Sequence, residues 1–245
     1  QAGYIDLLVI LTILYVLSHQ NLSFQAIYRG RDNYKAALVL SITLILFLGL
    51  RPVSYHFGDT VNYARTYSNM QYGLFTLDYE NSDWLFYWFM NKSASLFSVN
   101  IFFSIVEFGY IGCTLWACKR LMRNNVWVAL LMNLAAFSYY SYGINGIRNG
   151  LACSIMLVAF SYILGSKSDK VKAAILCFCA YNIHHSMALP ILMMAVSAFI
   201  LPRFKDNLRL TVAFWVLSIF LSLTVGDWLE TFFAGLGFDD RLNSY

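Results

Sequence analysis

Eight apolar runs of 14 to 20 residues alternate with short polar linkers, at about 3–19, 35–51, 99–118, 126–143, 148–165, 171–184, 187–202 and 209–226. A helix needs roughly 20 apolar residues to cross a hydrocarbon core about 30 Å thick, with a usual lower limit near 17. Only 12% of the 245 residues are charged and 59% are apolar, whereas a soluble domain carries about 25% charged residues. A water-soluble fold of this size could not hide so much apolar surface. The chain therefore reads as an all-α, polytopic membrane helix bundle of about eight spans, a single transmembrane domain over 1–245. That class excludes nucleic-acid binders, cytosolic enzymes and secreted disulfide scaffolds. The five cysteines lie in apolar runs without zinc or redox spacing and read as small core hydrophobes. The first run lacks a basic flank before it and a small-residue cleavage site after it, so no cleavable signal peptide is expected.

The basic residues sort the linkers. Arg29, Arg31 and Lys35 follow the first run, and Lys119, Arg120 and Arg123 the third. Lys167, Lys170 and Lys172 follow the fifth; Arg203, Lys205 and Arg209 follow the seventh. Twelve of the 17 Lys and Arg residues thus fall in four alternate linkers, which the positive-inside rule makes cytoplasmic, with both chain ends outside. Counting Trp84–Met90 as a span would break this parity, so 82–97 reads as a short amphipathic helix in the outer interface. The exterior segments are acidic (Asp59, Asp78, Glu80, Asp83, Asp227, Glu230, Asp239, Asp240) and keep only Arg51, Arg65, Lys92, Arg148 and Arg241. No internal repeat is visible, so an inverted-repeat transporter gains no support.

Several polar groups sit where polarity is costly. Arg148, within Asn145-Gly146-Ile147-Arg148-Asn149-Gly150, stands where the fifth run begins. A helix N-terminus with a guanidinium and small neighbours suits a phosphate, although a snorkelling arginine would occupy the same place. His184-His185-Ser186 ends the sixth run, whose 14 residues span only about 21 Å. That shortness places His184 in a wet depression, where it can take a proton from a hydroxyl or serve as a structural histidine. Asp59, in Gly58-Asp59-Thr60-Val61-Asn62-Tyr63, can cap a short helix on which Tyr63 and Tyr67 share one face. Arg51, Tyr55 and His56 precede it. A carboxylate, an arginine and aromatic rings at one membrane face suit a sugar on a charged lipid carrier. Asp78 and Glu80 read as an acidic interfacial loop, and Asp6 as an outer-interface residue. Glu107, mid-span, is a functional candidate or a protonated structural acid.

These elements resemble the EpsG-like branch of the Wzy-type polysaccharide and O-antigen polymerases. The resemblance rests on Gly58-Asp59-Thr60 with Tyr63, on Ile147-Arg148-Asn149-Gly150-Leu151-Ala152 and on His184-His185-Ser186, and covers about residues 45–190. The family often has Gln where this chain has Asn149, which keeps an amide. It often continues with further C-terminal spans, which are expected to follow.

The resemblance implies a C-type glycosyltransferase-like architecture in the bacterial cytoplasmic (inner) membrane, its site facing the periplasm or exterior. The implied reaction polymerises undecaprenyl-pyrophosphate-linked oligosaccharide repeat units. Arg148, with Arg51 second, would neutralise the leaving pyrophosphate; Asp59 or His184 would be the base. Tyr63 and Tyr67 would grip sugar, with Asn145, Asn149 and His185 as further substrate contacts. No cofactor and no metal is expected. The implied partners are the lipid-linked oligosaccharide and the bilayer, with a chain-length regulator as a further candidate and no nucleic acid. The rival readings are a glycan ligase with the same donor, a flippase of lipid-linked sugars and, more distantly, a membrane acyltransferase.

Overall fold

The computed structural model describes residues 2–18, 32–79, 83–163, 165–200, 212–213 and 216–217. The expected run at 209–226 therefore lies almost wholly outside the described residues, as do Arg29, Arg31, Glu80, Arg203, Lys205 and Arg209. Those described are helical with no strand. The helices are α1 (Ala2–Ser18), α2 (Asp32–Gly49), α3 (Thr60–Gln71), α4 (Trp84–Ala94), α5 (Val99–Leu121), α6 (Val126–Ala135), α7 (Phe137–Ile144), α8 (Ile147–Ile163), α9 (Lys167–Ile183) and α10 (Ala188–Ala195). Two compact units divide the chain, residues 1–184 and 185–245. In the second, the turn His185–Met187 leads into α10, which continues as one π-helical stretch, Val196–Ile200.

Among the described residues, α5 is the one helix that is both long and apolar enough to cross a membrane, with 23 residues. At 1.5 Å per residue it is about 35 Å long. Segments of α1, α2, α6, α8 and His185–Phe199 are apolar but shorter. Two expected spans differ in detail. The run 126–143 is broken at Ala136, whose backbone turns extended (φ −63°, ψ 132°) and separates α6 from α7. The run expected at 171–184 starts earlier, at Lys167, because Ser166 and Asp169 form a reciprocal capping box there. Its 17 residues reach about 26 Å, so the short span expected before His184 is not observed.

Side-chain pairs fix the helix directions in the first unit. Lys119 lies over the Tyr34 ring and Gly49 abuts Ser104, so α2 and α5 run antiparallel. Gly109 meets Leu151 and Arg120 Nε reaches the Ser161 carbonyl, so α5 and α8 run parallel. Lys172 lies over Tyr162, while His184 approaches Asp83, the partner of Arg148, so α9 returns antiparallel to α8. Lys119, Arg120, Lys167, Lys170 and Lys172 consequently gather at one end of the bundle. Arg51, Asp83, Arg148 and His184 gather at the other.

The core is layered. Leu40, Leu44 and Leu48 of α2 pack with Ile111 of α5 and with Leu130 and Leu134 of α6. Tyr67, Phe86, Phe102 and Phe103 form an aromatic layer nearer the Arg148 end, with the Tyr67 and Phe102 rings 5.1 Å apart. Outside this core, α1 and α2 expose Ile5, Val9, Ile13, Val39, Ile42 and Leu46. Such a continuous apolar exterior suits lipid, not water. Small residues let the helices close up where lipid provides no hydrophobic drive. A Cβ at Gly49 would stand 2.8 Å from the Ser104 Cα, a backbone atom. Gly49→Ala is therefore expected to cost about 1–3 kcal/mol by prying α2 from α5, read as a lowered thermal midpoint in detergent.

Candidate active site

The site is assembled at four helix ends, the starts of α3, α4 and α8 and the end of α9. Gly58 turns the chain into α3 with φ +60°, and a Cβ there would collide with the Asn145 side-chain amide. The same amide oxygen accepts the Asp59 backbone N–H at 2.8 Å. Thr60 Oγ1 lies 2.9 Å from the Phe57 carbonyl and 3.0 Å from that of Ile144. These bonds clamp the Gly-Asp-Thr turn against the segment between α7 and α8. Asp59 occupies the N-cap position without capping through its side chain; its carboxylate instead accepts from Asn62 Nδ2 at 3.2 Å and stays exposed.

At the start of α8 the Arg148 guanidinium is held on two nitrogens. Nη1 donates to Asp83 Oδ2 at 2.6 Å and to the Tyr87 hydroxyl at 3.1 Å, and Nε donates to the Tyr63 hydroxyl at 3.2 Å. Its Nη2 has no hydrogen-bond partner among the described residues, and the side chain is 27% exposed. Burial pushes the Tyr63 phenol above its ordinary value, against the pull of Arg148. Tyr63 thus stays protonated and neutral. His184, just past α9, places Nδ1 3.4 Å from both Asp83 oxygens. Asp83, only 5% exposed, joins the arginine to the histidine. Trp84 Nε1 donates to Asn182 Oδ1 at 2.6 Å, fixing the start of α4 against the end of α9 and so the Asp83–His184 approach.

Tyr67, Arg51 and Asn149 are committed to other partners, whereas His185 directly follows His184 in the chain. Tyr67 is fully buried and its hydroxyl donates to the Phe97 carbonyl, so it does not share an open sugar-binding face with Tyr63. Arg51 is also buried: Nη1 donates to the Leu48 carbonyl (2.7 Å) and to Glu107 Oε1 (3.0 Å), under the Phe103 ring. It is the counter-ion of the intramembrane acid, not an open guanidinium awaiting phosphate. Asn149 Oδ1 accepts from Cys153 Sγ at 3.4 Å, one turn along α8. His185 is buried in the turn that opens the second unit. By sequence Asp83 is one of several exterior acids, and Tyr87 one of many aromatic residues. The available signal was position: Asp83 immediately precedes the amphipathic helix, and Tyr87 follows it by four residues, one turn on the same face.

The EpsG family model matches residues 34–245. The chain belongs to the EpsG family. No curated protein and no solved structure matches it. Membership makes the chain a membrane protein of a family associated with glycosyltransferase-like polymerase activity on polysaccharide. Within this EpsG-family chain, the Gly-Asp-Thr turn, the Ile-Arg helix start and His184 all stand at the same end of the first unit.

Proposed function

We propose that the chain is a polytopic glycosyltransferase that polymerises undecaprenyl-pyrophosphate-linked oligosaccharide repeat units at the outer face of the bacterial cytoplasmic membrane. The observation that carries this reading is the Arg148–Asp83–His184 chain, with Arg148 Nη2 left open. The segregation of basic linkers to the opposite end supports the orientation. The apolar outer surface of the shorter helices supports further spans beside α5.

The chemistry follows from the charges. An acceptor sugar hydroxyl attacks the anomeric carbon of the chain on a second carrier. The new oxygen–carbon bond forms as the bond from that carbon to the pyrophosphate oxygen breaks, and the hydroxyl proton passes to His184 Nε2. Asp83, facing Nδ1, favours the tautomer that carries its proton on Nδ1, so that the acceptor lone pair lies on Nε2. Before transfer, Arg148, Asp83 and neutral His184 sum to zero charge. After it the cluster carries one net positive charge, just as pyrophosphate leaves with its negative charge. Arg148 Nη2 supplies the open donor. We favour His184 over Asp59 as base because Asp83 orients it beside Arg148. Asp59 and Asn145, clamped together on the neighbouring turn, are suited to sugar hydroxyls, and Tyr63 holds Arg148 in place.

The test uses purified full chain in lipid vesicles with undecaprenyl-pyrophosphate-linked repeat units. A product ladder spaced by one repeat, with one free undecaprenyl pyrophosphate released per bond, is the expected result. A single product on another lipid or protein would make the chain a ligase. Movement of intact substrate across the bilayer with no carrier release would make it a flippase.

A further inference from the structure

At the basic end of the bundle, about 20 Å along α8 from Arg148 at 1.5 Å per residue, lies a cavity of about 760 Å³. Tyr34, Trp116, Lys119, Arg120, Arg123 and Val126 line it. Its cations are arranged unequally. Arg120 is already held: its guanidinium lies 3.8 Å over Tyr162, Nη2 is 3.9 Å from Asp169 Oδ2, and Nε donates to the Ser161 carbonyl. Lys119, an exposed residue, lies with its ammonium over the Tyr34 ring at 4.1 Å. Arg123 is exposed and forms no ion pair among the described residues. Among the described residues, the carboxylate paired with this group is Asp169, shared between Arg120 and Lys172. Lys119, Arg120, Arg123 and Lys172 therefore stand around this one anion among the described residues.

Beneath the charged rim the cavity wall is apolar, with Gly112, Leu115 and Trp116 of α5. From Trp116, half exposed, a strip of outward-facing apolar side chains runs back along α5 through Phe108 to Ile101. Their spacings of eight and seven residues keep them on one helix face. A free phosphate would use the cations and leave this strip idle. An amphiphile uses both, with the anionic head among Lys119, Arg120 and Arg123 and the acyl chains along the strip. Snorkelling alone would send each cation outward separately, not around one cavity.

We propose that this cavity seats the phosphate headgroup of an anionic membrane lipid. The site is separate from the Arg148 cluster, so it stands whether or not the polymerase reading does.

The experiment is native mass spectrometry of the full chain released from detergent, titrated with phosphatidylglycerol or with phosphatidylcholine. Wild type is expected to retain phosphatidylglycerol in preference to phosphatidylcholine. The double variant K119Q/R123Q is expected to bind phosphatidylglycerol about 30-fold more weakly, two charges near a headgroup being removed. Lys92→Gln, which removes an exposed charge outside the cavity, should leave binding unchanged. Equal retention of the two lipids overturns the proposal, as does an equal loss in Lys92→Gln, which would mean net charge alone attracts the lipid. Displacement of the bound lipid by millimolar inorganic phosphate would overturn it in favour of a free-phosphate site.

Discussion

Arg148→Ala is expected to lower the rate of ladder formation by about 10²- to 10³-fold, the usual cost of losing one donor aimed at developing negative charge. The loss should fall on turnover, because the arginine contributes most once the pyrophosphate has begun to leave. Truncation also strips a nearly buried Asp83 of its counter-ion, and breaking a buried pair costs about 3–5 kcal/mol. Arg148→Lys separates the two effects. It keeps a cation beside Asp83 but cannot reach Asp83, Tyr87 and Tyr63 from one planar fork while presenting a further donor. The lysine variant should therefore melt near wild type in detergent yet polymerise poorly. Near-wild-type polymerisation by it would show that charge alone suffices and that the fork is structural.

What could be read in the sequence was whatever depends on short-range order. The alternation of apolar runs and basic linkers placed the helix ends, and the structure gathers the described basic residues of those linkers at one end of the first unit. Helix starts shifted where a local bond outweighed hydropathy, as at the Ser166–Asp169 capping box. Long-range partnership was not legible. Asp83 joins residues 65 and 101 positions away, and only its place just before the short helix separates it locally from Asp78 and Glu80. Arg51 and Glu107 were each conspicuous, yet they stand 56 positions apart, and only the antiparallel packing of α2 and α5 makes them a pair. Tyr63 and Tyr67 show the same limit within one helix. Four-residue spacing puts both on one face, but burial gives one ring to Arg148 and the other to the core.

Polymerisation by His184→Ala should fall by about 10²- to 10⁴-fold, the range for removing a positioned general base. A structural histidine could produce a similar fall, so the informative readout is rescue. The alanine variant leaves a gap beside Asp83, and added imidazole should bind there and restore part of the rate in proportion to its concentration. Imidazoles of graded basicity should then rescue in order of basicity, since the proton moves in the rate-limiting step. Asp83→Asn tests the orienting half of the pair. It preserves volume but can donate to Nδ1, favouring the tautomer whose Nε2 already carries a proton. That variant should lose activity without becoming rescuable, because its imidazole is present but wrongly protonated. Rescue of neither variant, with Asp59→Asn inactive at an unchanged melting point, would move the base to Asp59 and leave His184 as a strut that holds Asp83 against Arg148.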